Sequence, residues 1–133
     1  MTKLVISSGD PAGVGPDICI KAFGLNQKLP YTPIILGDPN LFEERAKKYG
    51  FPIKIKEYNG QEESFLSRDF FWMTPFYLKR AVKAGIPDPM SASYMMEMLE
   101  FSISSIMKEE FSALITAPIN KELISEIVKF INQ

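Results

Sequence analysis

The chain has 133 residues, 46% hydrophobic and 23% charged, which suits one globular domain with its own core. Its 15 basic and 16 acidic residues nearly balance, which argues against nucleic acid as a partner, and no apolar run approaches the roughly 20 residues of a membrane helix. The single cysteine, Cys19, excludes an internal disulfide, and the absence of histidine removes the commonest general base and metal ligand.

The first predicted unit is a short buried strand at Lys3–Ser7, followed by a Gly/Pro loop over residues 8–16. Proline lacks the N–H that is unpaired in a first helical turn, so Pro16 predicts a helix that continues through Phe23 and ends at Gly24. Spacing predicts its apolar stripe as Ile18, Cys19 and Ala22. The N-terminus has no signal-peptide core, so we expect a cytoplasmic protein.

The second predicted unit is a β-branched strand at Thr32–Leu36 and a helix that Gly50 closes. Asn40 is the predicted N-cap of this helix, because Glu43 follows three residues later as in a capping box. The inward-facing residues are predicted to be Phe42, Ala46 and Tyr49.

The later elements continue the alternation of strands and helices. Apolar and polar residues alternate over Ile53–Tyr58, which predicts a half-exposed strand near a sheet edge. The other predicted elements are strands at Phe70–Met73 and Ser112–Thr116 and helices at Ser91–Glu110 and Asn120–Ile127. The fold class is therefore α/β, with a mostly parallel sheet flanked by helices. The loops over residues 8–16 and 116–121 should then share one edge of that sheet.

The loop at residues 8–16 is the first candidate site. Glycines after a strand let a ligand approach the backbone, and the following helix start offers unpaired N–H groups. The loop lacks the third glycine of a dinucleotide fingerprint and the Gly-Lys-Ser/Thr of a P-loop. Asp10 would repel a phosphate and favours a hydroxyl, an amide or a cation-linked role. On spacing alone, the glycines and prolines could equally well only shape a turn that Asp10 caps.

The segment Leu114–Lys121 is the second candidate. Thr116 and Asn120 can hydrogen-bond a ligand, and Lys121 is a point charge suited to phosphate. The alternative is a strand end, a proline turn, an asparagine helix cap and a solvated lysine. Local chemistry alone favours that alternative.

Together, these two motifs resemble the signatures of the 4-hydroxythreonine-4-phosphate dehydrogenase family, in matching order and separation. Ser8–Asp17 resembles the N-terminal signature, Ala113–Lys121 resembles the second, and the resemblance spans residues 3 to about 126. It implies an isocitrate/isopropylmalate-dehydrogenase-like fold with two α/β domains and a homodimer. It also implies NAD- or NADP-dependent oxidation of 4-phosphohydroxythreonine with a divalent metal, then decarboxylation, in pyridoxine 5′-phosphate biosynthesis.

The sequence departs from the family near its end. The family continues with Ala-Gly and a Gly-His-Thr segment, whereas Asn132 and Gln133 stand where Gly and His are expected. In the family, the metal-binding histidines, the phosphate-binding basic residues and most of the nucleotide site come later. We therefore expect residues 1–133 to form a single incomplete α/β domain, the N-terminal part of a two-domain enzyme, without the metal ligands.

The resemblance places six residues in the active-site cleft and assigns no catalytic residue. They are Asp10, Gly13, Gly15, Thr116, Asn120 and Lys121. Two other functions stay open. One is a catalytically inactive remnant that serves as a dimerisation or anion-binding module. The other is a phosphate acyltransferase-like protein, which rests on a related fold alone.

Overall fold

The computed structural model describes residues 2–24, 29–60, 66–118 and Ser125. Strands and helices alternate along these residues as β1 (Lys3–Ser7), α1 (Gly15–Phe23), β2 (Thr32–Gly37), α2 (Pro39–Tyr49), β3 (Ile55–Glu57), β4 (Phe71–Pro75), α3 (Ser91–Met107) and β5 (Ala113–Thr116). The strands form one sheet in the order β3-β4-β2-β1-β5, and every neighbouring pair is parallel. The predicted α/β fold class is confirmed. The predicted helix at 120–127 lies outside the described residues, apart from Ser125.

The central strands are apolar on both faces because helices cover both sides of the sheet. Successive strand residues point to opposite faces. Ile6 and Ile35 therefore pack with α1 and α2, in a cluster that includes Phe42. Val5 and Ile34 pack on the other face, against α3. None of the helices in the described ranges has the length and hydropathy that crossing a membrane requires.

The sheet has a topological switch point between β1 and β5. From β1 the chain moves to β2 on one side, whereas the connection through α3 returns to β5 on the other side. Ser7 at the end of β1 is in register with Thr116 at the end of β5. The loops that follow these strands begin side by side at this edge, which is where ligands bind in open α/β sheets.

The N-cap of helix α2 lies two residues before the predicted one. Asp38 is the N-cap, and its Oδ1 accepts a hydrogen bond from the Asn40 amide at 2.9 Å. The prediction that Asn40 caps the helix is therefore wrong. Pro39 explains the shift, because proline has no N–H and its fixed φ suits the first helical position.

Two predicted apolar faces are rotated in the structure. Ile18 is 48% exposed, whereas Cys19 is buried as predicted and Ile20 is buried beside it. Phe42 and Ala46 are buried as predicted, but Tyr49 is 44% exposed. In each helix, the residues that pack best against the rest of the protein set its orientation about its own axis. One residue at an end of the predicted apolar stripe, Ile18 or Tyr49, therefore lies outside the packed face. The predicted edge position of β3 and the C-terminal role of Gly50, at φ 71°, are confirmed.

Candidate functional site

The two candidate motifs meet at the carboxyl ends of β1 and β5. The amide of Asp10 donates a hydrogen bond to the carbonyl of Pro118 at 3.0 Å. The amide of Ala117 donates to the carbonyl of Ser7 at 2.9 Å. The predicted proximity of the two loops is confirmed, and backbone hydrogen bonds hold them together across the switch point.

Asp10 is built into a tight turn at this junction. Its Oδ1 accepts a hydrogen bond from the Ala12 amide at 2.9 Å, and its carbonyl accepts one from the Gly13 amide at 3.0 Å. The residue is 8% exposed. Its Oδ2 receives no hydrogen bond from the described part of the chain. One carboxylate oxygen therefore caps the turn, and the other has no hydrogen-bond partner among the described residues.

The glycines of the loop have different surroundings. A Cβ on Gly9, at φ +75°, would collide with the carbonyl oxygen of Pro118, and a Cβ on Gly15 would collide with that of Ser8. These two glycines make room for the chain's own backbone rather than for a ligand. Around Gly13 the nearest atom to a Cβ would be the Asp10 carbonyl oxygen, at 3.4 Å. Gly13 is thus the loop glycine with space beside it.

Arg45 of α2 reaches into the same loop. Its Nη2 donates to the Pro11 carbonyl at 2.6 Å, and its Nη1 lies 3.2 Å from the Gly13 carbonyl and 3.1 Å from Asp17 Oδ1. The arginine side chain is 6% exposed. A buried charge needs a partner and hydrogen bonds, and Asp17 and the two carbonyls supply them.

Sequence reasoning missed Arg45, although a signal was present. Position 45 lies four residues after Leu41 and between Phe42 and Ala46, all of which are buried on one face of α2. A charged residue on an otherwise apolar face indicates that it is paired with a specific group when buried.

The segment after β4 closes over the loop from another side. The Gly85 amide donates to the Ala12 carbonyl at 2.7 Å. Arg80 and Asp88 bracket this segment with two hydrogen bonds, at 2.9 and 2.6 Å. These hydrogen bonds from Arg80, together with one from the Met90 amide, hold the pKa of Asp88 below its usual range.

A buried polar network supports the junction from below. The Asp38 amide donates to the Tyr94 hydroxyl at 2.9 Å, and Asp38 Oδ2 accepts from the Leu78 amide at 2.9 Å. Burial raises the pKa of the Tyr94 phenol, outweighing its hydrogen bond with Ser8. Tyr94 therefore stays protonated and acts as a neutral hydrogen-bonding group.

The predicted site residues are only partly brought together in the described structure. Asp10 and Gly13 lie in the loop after β1, Gly15 begins α1, and Thr116 ends β5 as an exposed residue beside that loop. Asn120 and Lys121 lie outside the described residues. Within residues 2–24, 29–60 and 66–118, no three His, Cys, Asp or Glu side chains are grouped to hold a metal ion. The roles of the six predicted site residues in the cleft stay predictions.

Known proteins resemble this chain in sequence. Residues 30–132 match the family model described as Pyridoxal phosphate biosynthetic protein PdxA. The 4-hydroxythreonine-4-phosphate dehydrogenase of Shewanella frigidimarina is 32% identical over 128 residues, covering 95% of this chain and 38% of the relative. That of Methylococcus capsulatus is 30% identical over 125 residues, covering 93% and 37%. The chain therefore spans less than two fifths of the length of these relatives.

Solved structures share the fold. The 4-hydroxythreonine-4-phosphate dehydrogenase of Burkholderia phymatum superposes with a TM-score of 0.84 at 19% identity, covering 94% of this chain and 38% of that one. That of Klebsiella pneumoniae superposes with a TM-score of 0.81 at 18% identity, covering 94% and 39%. The family match extends over most of the sequence, and the chain belongs to the pyridoxal phosphate biosynthetic protein PdxA family.

Proposed function

We propose that the chain supplies the N-terminal wall of the active-site cleft of a 4-hydroxythreonine-4-phosphate dehydrogenase. The enzyme would be a cytoplasmic homodimer that oxidises 4-phosphohydroxythreonine with NAD or NADP and a divalent metal, before decarboxylation, in pyridoxal phosphate biosynthesis. The family match and the names of the relatives support this proposal. The observation that carries it is the junction at the switch point, where the Asp10 turn meets the loop after β5.

The charges at this junction indicate which part of the substrate it would meet. Asp10 lies in the loop and Asp17 in the first turn of α1, so a phosphate at this helix start would face two carboxylates. The guanidinium of Arg45 is already paired with Asp17. We infer that Asp10 meets the hydroxyl or amino end of the substrate, and that Lys121 meets the phosphate.

The described residues do not fit a metal, since they group no three metal-ligating side chains. They also do not fit a dinucleotide cradle, because the backbone of the chain fills the space beside Gly9 and Gly15. The contribution of these residues is to shape the cleft and to accept a hydrogen bond at Asp10. We therefore propose that the 133-residue chain has no turnover by itself and needs the remaining part of the family fold.

Complementation tests this proposal. The chain would be titrated with the purified C-terminal portion of a relative, in the presence of 4-phosphohydroxythreonine, NAD or NADP and a divalent metal. Reduction of the nicotinamide should require both polypeptides and should saturate as the second one is added. Asp10→Ala should lower the rate, whereas the matched control Asp69→Ala, at an exposed position, should leave it unchanged. Absence of any rate at every ratio would overturn the proposal.

A non-catalytic dimerisation module is the second candidate, and β5 favours it. This strand is the outer strand of the sheet in the described residues, and Ile115 on it is 43% exposed. An open strand edge pairs readily with another chain. Light scattering that shows a dimer, together with failed complementation, would favour this function over the enzyme.

A further inference from the structure

The strongest unassigned feature is the side chain of Arg45, which ties α2 to the loop that carries Asp10. It joins three acceptors that belong to neighbouring turns of the loop and α1: the Pro11 carbonyl, the Gly13 carbonyl and the Asp17 carboxylate. The first two flank Ala12, whose amide donates a hydrogen bond to Asp10 Oδ1. Hydrogen bonds from one guanidinium therefore hold the residues on both sides of Ala12, within the turn that begins at Asp10.

Only arginine can make this set of contacts. A guanidinium has five N–H donors in a fixed plane, so it can reach three acceptors in different directions at once. A lysine ammonium at position 45 could pair with Asp17 but lacks the span to serve both carbonyls as well. Because the arginine side chain is 6% exposed, water would not freely replace the lost donors.

We propose that Arg45 is the positioning residue of the candidate active site. It fixes the turn at residues 10–13, and thereby the direction in which Asp10 Oδ2 faces the crevice, without touching the substrate itself. This inference rests on the proposed function for its catalytic meaning. The effect of Arg45 on the order of the loop can be tested independently of that function.

Amide hydrogen exchange measured by NMR tests the inference without any ligand. Arg45→Lys and Arg45→Met should each accelerate exchange of the Ala12 and Gly13 amides at least about tenfold, because their closed turn would open locally. The buried strand amides of Ile34 and Ile35 exchange through global unfolding, and they should be accelerated several-fold less than those of Ala12 and Gly13. Lys47→Met removes a charge from an exposed position of the same helix and should change neither group.

Unchanged exchange at Ala12 and Gly13 would overturn the inference. Equal acceleration at Ile34 and Ile35 would also overturn it, because Arg45 would then act only on global stability. If Arg45→Met fails to fold, Arg45→Lys decides, since it keeps the positive charge beside Asp17.

A titration with 4-phosphohydroxythreonine separates this inference from the proposed function. If the wild-type chain binds, Arg45→Lys should weaken the affinity at least about tenfold, in step with the faster exchange. Equal affinity despite a looser loop would overturn the positioning role. If the wild-type chain does not bind by itself, the titration is repeated on the complemented pair of polypeptides. Absence of turnover by that pair would overturn the proposed function, and the exchange rates would then decide whether Arg45 orders the loop.

Discussion

Pro118 places its carbonyl oxygen against Gly9, in the space that a Cβ on Gly9 would need. The same oxygen accepts the hydrogen bond from the amide of Asp10 at 3.0 Å. Gly9 also has a φ of +75°, which residues with a Cβ rarely adopt. The spacing between the two loops of the candidate site is therefore set by direct backbone contact, with no side chain between them.

Gly9→Ala should therefore destabilise the chain and separate the two loops. A left-handed alanine costs roughly 1–2 kcal/mol, and the collision with Pro118 adds to that cost, so the free energy of unfolding should fall by more than about 2 kcal/mol. Urea unfolding measures the change. Gly50→Ala is the matched control, because Gly50 has a similar φ of +71° and no atom within 4 Å of its Cβ position. Equal losses in both variants would show that the contact with Pro118 is unimportant.

The correction at the start of α2 gives a second test. Asp38→Ala removes the acceptor of the Asn40 amide and the acceptor of the Leu78 amide, so it should lower the free energy of unfolding by about 2 kcal/mol. Asn40→Ala, at the residue that the capping-box pattern indicated, should change it by less than about 0.5 kcal/mol. Thermal or urea unfolding of both variants decides, and a larger loss in Asn40→Ala would contradict the structure.

Much of the fold follows from local sequence. The strand at Lys3–Ser7 was predicted at its observed bounds, because a short apolar run ends at a Gly/Pro loop. The orientation of a helix about its own axis is less predictable. In α1 the position of Ile18 depends on how Cys19 and Ile20 pack against the sheet. That packing involves residues distant in sequence, which a spacing rule within the helix does not contain.

The candidate site, like the fold, was only partly predictable from the sequence. The meeting of the loops after β1 and β5 follows from the handedness of parallel crossovers, and the structure confirms it. The role of the glycines does not follow, because the space beside Gly9 is filled by Pro118 from the other end of the sequence. The contact of Arg45 with Gly13, 32 residues away, is equally invisible to local patterns.

The thiol of Cys19 should be unreactive in the folded chain. Burial raises its pKa to about 12, so very little thiolate forms at neutral or mildly alkaline pH. Alkylation by iodoacetamide at about pH 8 should be much slower in the folded chain than in the same chain in denaturant, since the unfolded thiol has a pKa of about 8.5. Similar rates in the two states would contradict the burial of Cys19.

The same shift predicts how stability depends on alkaline pH. The folded-state pKa of Cys19 is raised, so its contribution to stability is fully present below about pH 8.5 and falls as the pH rises towards 12. Cys19→Ala should remove that part of the alkaline loss. Urea unfolding at a series of pH values measures the two slopes, and identical slopes in wild type and variant would refute the assignment.

The bracket between Arg80 and Asp88 predicts an acid-side effect in the segment that covers the loop. The hydrogen bonds from Arg80 are the largest cause of the lowered pKa of Asp88, followed by the one from the Met90 amide. Because the folded-state pKa is lowered, the pairing contributes stability above the ordinary pKa of about 3.9, and it is lost as the pH falls through the folded value. Arg80→Gln should therefore raise the pKa of Asp88 towards its ordinary value, measured by NMR titration of the carboxyl carbon. The control Lys83→Gln removes an exposed positive charge of the same segment but no hydrogen bond to Asp88, so it should raise the pKa of Asp88 less. Equal rises in the two variants would assign the lowered pKa to the overall charge of the segment rather than to the pair with Arg80.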